Sequence, residues 1–126
     1  MEGSERQREW PQDVWDVAAV TVEHVDTIVV VTARGDFDLV TVPRLRAALA
    51  QALAGEPSPA VLVVDLTEVT FFGAAAMAAL LEAGEIGGES TELRLAASEQ
   101  SQRFLRIGGL DQIFTLYRSL EGALST

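Results

Sequence analysis

Two carboxylates one residue apart, Asp36 and Asp38, stand in the stretch GDFD, directly after the run TIVVVTAR. Paired acids at a strand end can hold magnesium or attack phosphorus, and Asp65, closing VLVVD, would complete a three-carboxylate set. Both schemes need an ammonium group beside the phosphate, and all 9 basic residues of the chain are Arg. The acids therefore read as turn and cap carboxylates. His24, the single histidine, has no serine at a recognisable spacing and no second histidine for a metal. No GxSxG elbow exists, so His24 reads as a strand or turn residue. Cysteine is absent, which removes disulfides, thiol catalysis and Cys-based zinc sites. GEIGG, from Gly84 to Gly88, follows a helical pattern instead of preceding one, so it is expected to be a connector and no phosphate loop. No catalytic, cofactor-binding or metal-binding residue is expected.

A second place for chemistry is the stretch FFGAAAMAALLEAGE, which follows VLVVDLTEVT. A buried strand there runs through a short loop into a helix, and the free N–H groups of a helix start point at such a turn. The turn offers only Gly73, and the helix opens on Ala74, Ala75, Ala76 and Met77. Small side chains let another molecule approach the backbone closely. Met77, Leu80 and Leu81 are expected to pack the helix on the sheet, while Ala74 and Ala75 reach the surface. Thr67 and Thr70 lie before the helix start and are expected to bond backbone groups.

These residues are positioned by a single domain. The 126 residues, 48% hydrophobic and 22% charged, suffice to bury a core without metals or disulfides. Residues 1–13 are polar, contain Pro11 and show no period, which suggests a loose arm whose Trp10 packs with Trp15 on the sheet; residues 14–126 form the domain. VAAVTVEHV and TIVVVTARG read as a strand pair turning at Asp26 and Thr27. Val42, Leu45, Leu49 and Leu53 share one face of a helix that starts at Thr41 and Pro43 and stops before GEPSP. AVLVVDL is a strand covered on both faces. The second helix ends near Gly84. LRLAA is a strand, SEQSQRFLRIGGL a helix with Ser98 as N-cap and Gly108 near its C-cap, IFTLY a last strand, and residues 119–126 a short helix or fray. The expected architecture is α/β: a mixed, mostly parallel central sheet with about four helices, entered through a β-hairpin.

Charge narrows the partners. There are 19 acidic residues and a formal net charge of -10, so phosphate backbones and anionic lipid surfaces repel the chain. No nucleic acid is expected to bind. The N-terminus lacks the apolar run of a secretory signal, and no segment reaches the roughly 18 apolar residues that span a bilayer. A cytoplasmic protein without membrane insertion is expected.

Together, GDFDLVTVPRLRAAL and VVDLTEVTFFGAAAMAALLEA resemble the STAS domain of bacterial anti-sigma-factor antagonists, a likeness that covers about residues 14 to 120. Gly35, Asp36, Phe37, Asp38, Thr41, Pro43 and Leu45 match the family's turn G-[ED]-[LIF]-D and the helix start T-x-P/A-x-L. Asp65, Leu66, Thr67, Val69, Phe71 and Phe72 match its second block, D-L-[ST]-x-V-x-F-[LIM]-D-S-[SA]-G-L. Where that block carries D-S-S-G, this chain has Gly73, Ala74, Ala75 and Ala76, and the phosphoacceptor serine falls on Ala75, which has no hydroxyl.

The resemblance implies a non-catalytic regulator that captures a kinase-like anti-sigma factor and frees a sigma factor for transcription. It places the partner surface on Asp36, Asp38, Thr41, Gly73, Ala74, Ala75, Ala76 and Met77. Phosphate on the family's serine adds about -1.5 to -2 charge and repels the partner; alanine would fix the surface in its binding form. Two other readings stay open: a STAS-like structural subunit of a transport complex or signalling scaffold, and nucleotide sensing at the Asp38 turn.

Overall fold

The computed structural model describes residues 18–125. The expected arm, with Trp10 and Trp15, lies outside the described residues. Strand β1 (Ala18–Val25) and β2 (Ile28–Phe37) form an antiparallel hairpin that turns at Asp26 and Thr27. Helix α1 (Val42–Leu53), β3 (Val61–Phe72), α2 (Ala74–Gly87), β4 (Glu92–Ala96), α3 (Glu99–Ile107), β5 (Thr115–Tyr117) and α4 (Leu120–Leu124) follow. A short 3-10 turn, Leu110–Gln112, separates α3 from β5. The sheet order is β1-β2-β3-β4-β5, antiparallel at the hairpin and parallel elsewhere.

Alternation sorts the two sheet faces. Val29, Val31, Leu62, Val64 and Leu95 point to one side and pack under Leu45 and Leu49 of α1 and Ala76, Ala79, Leu80 and Ala83 of α2. Alanine on three of those α2 positions lets the helix sit close to the strands. Val30, Val63 and Ala96 point to the other side, under Leu120, Ala123 and Leu124 of α4. This short helix is held by the buried Arg94 of β4, whose guanidinium donates to the Ala123 carbonyl at 2.7 Å. Glu92 flanks the same guanidinium, with an N···O distance of 3.1 Å.

Strand β3 runs further than the apolar run AVLVVDL suggests. It extends through TEVTFF to Phe72 because it carries two bulges against β2. Between the pairs Thr32–Asp65 and Arg34–Glu68, β3 advances three residues for two of β2; between Gly35–Val69 and Asp36–Phe71 it advances two for one. Each bulge inserts one residue and shifts the alternation. The buried residues Leu66, Val69 and Phe72 consequently fall three apart, a spacing no regular strand permits. β4 accompanies β3 only as far as Asp65. Beyond that point α3 lies along β3, and the Ser101 hydroxyl donates to the Leu66 carbonyl at 3.0 Å, which covers an otherwise open strand edge.

Helix α2 also runs past its expected end. It continues through Gly84 to Gly87 and stops at Gly88, whose φ of +54° suits glycine. Gly84 serves packing, since a Cβ there would lie 3.0 and 3.1 Å from ring carbons of Phe114. The segment GEIGG is thus mostly helical. Leu81, expected in the core, is 37% exposed on the outer side of α2, whereas Leu80 is fully buried.

Candidate functional site

Asp36 and Phe37 end β2, and Phe71 and Phe72 end β3 beside them in parallel register. The rings of Phe37 and Phe72 are both buried, with centroids 6.5 Å apart and tilted by 57°. Burial of each such side chain contributes about 1.5–3 kcal/mol. That pair anchors the two strand ends to the core. The chain then leaves both strands at one edge of the sheet, and the Gly73 N–H donates to the Phe37 carbonyl at 3.0 Å. The Asp36–Thr41 turn and the Gly73–Met77 helix start are therefore joined by backbone.

The turn after β2 is built from its own polar groups. Asp38 Oδ1 accepts from the Val40 N–H at 3.0 Å and from the Thr41 N–H at 3.1 Å. The Thr41 hydroxyl accepts from the Asp38 N–H at 3.0 Å and shares its proton between the Asp36 carbonyl at 2.9 Å and Asp38 Oδ1 at 3.1 Å. The Asp38 carbonyl takes the Val42 N–H at 2.9 Å, which starts α1. Thr41 occupies the N-cap position, yet its side chain makes no cap bond to the helix. Asp38 supplies the acceptor one turn upstream. The Thr41 amide and hydroxyl, with the Val40 amide, hold the exposed Asp38 carboxyl below the usual aspartate range.

Placement of the other expected site residues is uneven. Asp36 is exposed and its carboxylate accepts a hydrogen bond from the Thr70 hydroxyl. Thr41 is buried, with 7% exposure, and offers no hydroxyl to an outside molecule. Ala74 is exposed, Ala75 half-buried against the core, and Ala76 fully buried. Met77 is half-buried and packs on the core, its sulfur filling the space where a Cβ on Gly108 would stand. Ala74, with parts of Gly73, Ala75 and Met77, presents the helix start to the surface. Gly73 provides no side-chain cap, so the first N–H groups of α2 are left to other partners.

The remaining polar candidates serve local structure. Asp65 Oδ1 accepts from the Thr67 N–H at 3.0 Å and from its hydroxyl at 2.7 Å, which clamps the first bulge of β3. Thr70, the extra residue of the second bulge, aims its hydroxyl at Asp36. Both threonines thus bond carboxylates, not the backbone expected from their position. His24 is exposed near the end of β1. Among the described residues no group of three or more His, Asp or Glu side chains is placed to hold a metal ion, and no helix is long and apolar enough to cross a membrane.

Sequence reasoning passed over the most exposed apolar residues near the turn. Leu39 and Val40 are 79% and 84% exposed, and Phe71 is 43% exposed. The signal was two aliphatic residues enclosed by Asp38 and Thr41, the two residues that fold the turn beneath them.

Comparison with known proteins agrees with this geometry. The STAS domain profile matches residues 19–123. Anti-sigma-F factor antagonist RsfB of Mycobacterium tuberculosis is 31% identical over 111 residues, covering 87% of this chain and 89% of that protein. RsfA, named an anti-sigma-F factor antagonist of the same organism, is 28% identical over 107 residues, covering 83% and 84%. A crystal structure of an anti-sigma factor antagonist from Mycobacterium paratuberculosis superposes with a TM-score of 0.80 at 34% identity, covering 87% of this chain and 93% of that one. A STAS domain protein from Planctomyces limnophilus, at 17% identity and a TM-score of 0.66, shares the fold. The chain belongs to the STAS domain family, among its anti-sigma factor antagonists, which are non-catalytic regulators.

Proposed function

We propose that the chain is a cytoplasmic antagonist that captures a kinase-like anti-sigma factor through the Asp36–Thr41 turn and the exposed start of α2, and that it has no phosphoacceptor at that start. The carrying observation is the backbone bond from Gly73 to Phe37, which sets an acidic turn beside a helix start made of Gly73, Ala74 and Ala75. This reading takes Ala75 as the counterpart of the family's phosphoacceptor serine. A surface of small, uncharged residues lets a partner approach the helix N-terminus, and no residue from 73 to 77 bears a hydroxyl.

The test is phosphorylation and binding in parallel. The unmutated chain, incubated with its anti-sigma factor and ATP, is expected to stay bound and carry no phosphate on residues 73–77. Ala75→Ser should gain phosphate and then release the partner, and Ala75→Glu should lose part of the affinity without any kinase, because glutamate adds about one charge and phosphoserine about two. Stoichiometric phosphate on the unmutated chain, with release of the partner, overturns the constitutive reading. Equal binding by all three chains favours a structural subunit in which this helix start never served as a switch.

A further inference from the structure

Single exposed aliphatic residues are ordinary on protein surfaces, but Leu39 and Val40 are adjacent and stand on a turn fixed by hydrogen bonds. Asp38 Oδ1 holds the amides of Val40 and Thr41, and the Thr41 hydroxyl holds the Asp38 amide and the Asp36 carbonyl. Neither side chain packs into the core clusters. Their exposure, 79% and 84%, gives the isolated fold little apolar burial. A partner that covers them gains that burial without first having to order the loop.

Phe71 stands on the other side of Gly73. Its ring meets Phe104 of α3 edge to face, with centroids 5.6 Å apart at 72°, and remains 43% exposed. A Cβ on Gly73 would lie 3.1 Å from the Phe71 ring and 3.5 Å from the Phe37 carbonyl. Gly73 therefore packs closely between the Phe71 ring and the backbone from which the Asp38–Thr41 turn continues, and its lack of a side chain lets the ring sit there. Ala74, next in the chain, adds one exposed methyl group. Asp36 and Asp38 add carboxylates on the side of the turn.

The charges select the occupant. A second copy of this chain would bring another net charge of -10 against the same carboxylates, and an anionic bilayer would meet the same repulsion. A cationic face with an apolar centre meets neither obstacle. Resting on the reading above, we propose that Leu39, Val40 and Phe71 are the apolar anchors of the complex. The anti-sigma factor packs an apolar surface against these three side chains and the exposed Ala74 methyl and sets Arg or Lys residues against Asp36 and Asp38.

Binding of the full chain to recombinant kinase-like anti-sigma factors from its source genome, followed by titration calorimetry, tests this. Leu39→Ser and Val40→Ser are each expected to weaken binding about tenfold and the double variant about a hundredfold, in the range of interface hot spots. Leu39→Met and Val40→Ile should stay within about threefold, since they keep the apolar contact. Thermal unfolding of all these variants should match the unmutated chain, because the side chains lie outside the core. A double variant that binds within about twofold of the unmutated chain overturns the anchors while leaving the antagonist reading standing. Loss of self-association in the double variant, with anti-sigma binding intact, would assign the surface to a second copy and also overturn the proposal. If the unmutated chain binds none of these factors, the antagonist reading falls and the anchors fall with it.

Discussion

Replacing Thr41 by Val tests the turn at its centre. The substitution keeps the branched shape and removes one buried hydroxyl. That hydroxyl accepts from the Asp38 N–H at 3.0 Å and donates toward the Asp36 carbonyl and Asp38 Oδ1. Its loss strips the Asp38 amide of this acceptor. A net hydrogen bond is worth about 0.5–1.5 kcal/mol, and a buried group left unsatisfied costs about 1–3 kcal/mol. The turn is only partly buried, so water can recover part of this, and a loss of about 2 kcal/mol is expected. For a domain of this size each kcal/mol lowers the midpoint by roughly 3–5 °C, giving a fall of about 6–10 °C. Thr41→Ser keeps the hydroxyl and gives up one methyl group, at about 0.8 kcal/mol. Calorimetry measures the midpoints, and amide exchange at Asp38 locates the effect. In Thr41→Val the Asp38 amide should exchange faster while the amides of β3 keep their relative order of protection. A midpoint within about 1 °C of the unmutated chain, with Asp38 still protected, would refute the hydrogen-bond account of the turn.

Further outcomes follow from the same contacts. The Asp38 carboxyl titrates below its unfolded value of about 3.9, so its contribution to stability is complete above that pH and is lost as pH falls through the lowered folded value. Asp38→Asn should flatten that acid limb in urea titrations, and an unchanged limb would contradict the bonding described. Association with the partner should slow as salt rises, because steering by a charge of -10 is screened over about 10 Å at 0.1 M; stopped-flow rates indifferent to salt would remove the electrostatic argument. Phe72→Ala should cost about 3–5 kcal/mol by opening a cavity beside Phe37, measured by urea unfolding, and a loss below about 1 kcal/mol would show that Phe72 does not anchor the strand end.

The hairpin, the alternation of strands and helices and the Ser98 cap of α3 were legible because each follows from a local rule: a two-residue turn, a period, a capping side chain. Ser98 and Ser101 do form the reciprocal cap, with the Ser101 N–H donating to Ser98 Oγ at 3.1 Å and the Ser98 N–H donating to Ser101 Oγ at 3.0 Å. The glycine at position 84 misled because its role is set by Phe114, 30 residues further on, and no local pattern carries that contact. The burial of Thr41 and Ala76 was hidden for the same reason, since a helix start near a surface turn has an inner side that only the packed sheet defines.

The length of β3 was illegible for a more instructive reason. Strand recognition rests on a period of two, and each bulge breaks that period by one residue. The segment DLTEVTFF places its buried residues three apart, which looks like the end of a strand and is a strand bulged twice. The same insertions bring two threonine hydroxyls to carboxylates. Thr67 lies within the first bulge and is held by Asp65, while Thr70 fills the second and reaches Asp36 across the ladder. Apart from Thr70, the order Val69, Phe71, Phe72 is buried, exposed, buried, a regular alternation opposite Gly35, Asp36 and Phe37. The bulge thus leaves Phe71 and Phe72 in register with Asp36 and Phe37 and adds one threonine at the strand end. The meeting of the acidic turn with the helix start therefore rests on the Phe37–Phe72 pair and the Gly73-to-Phe37 bond, while Thr70 ties the strand end to the Asp36 carboxylate.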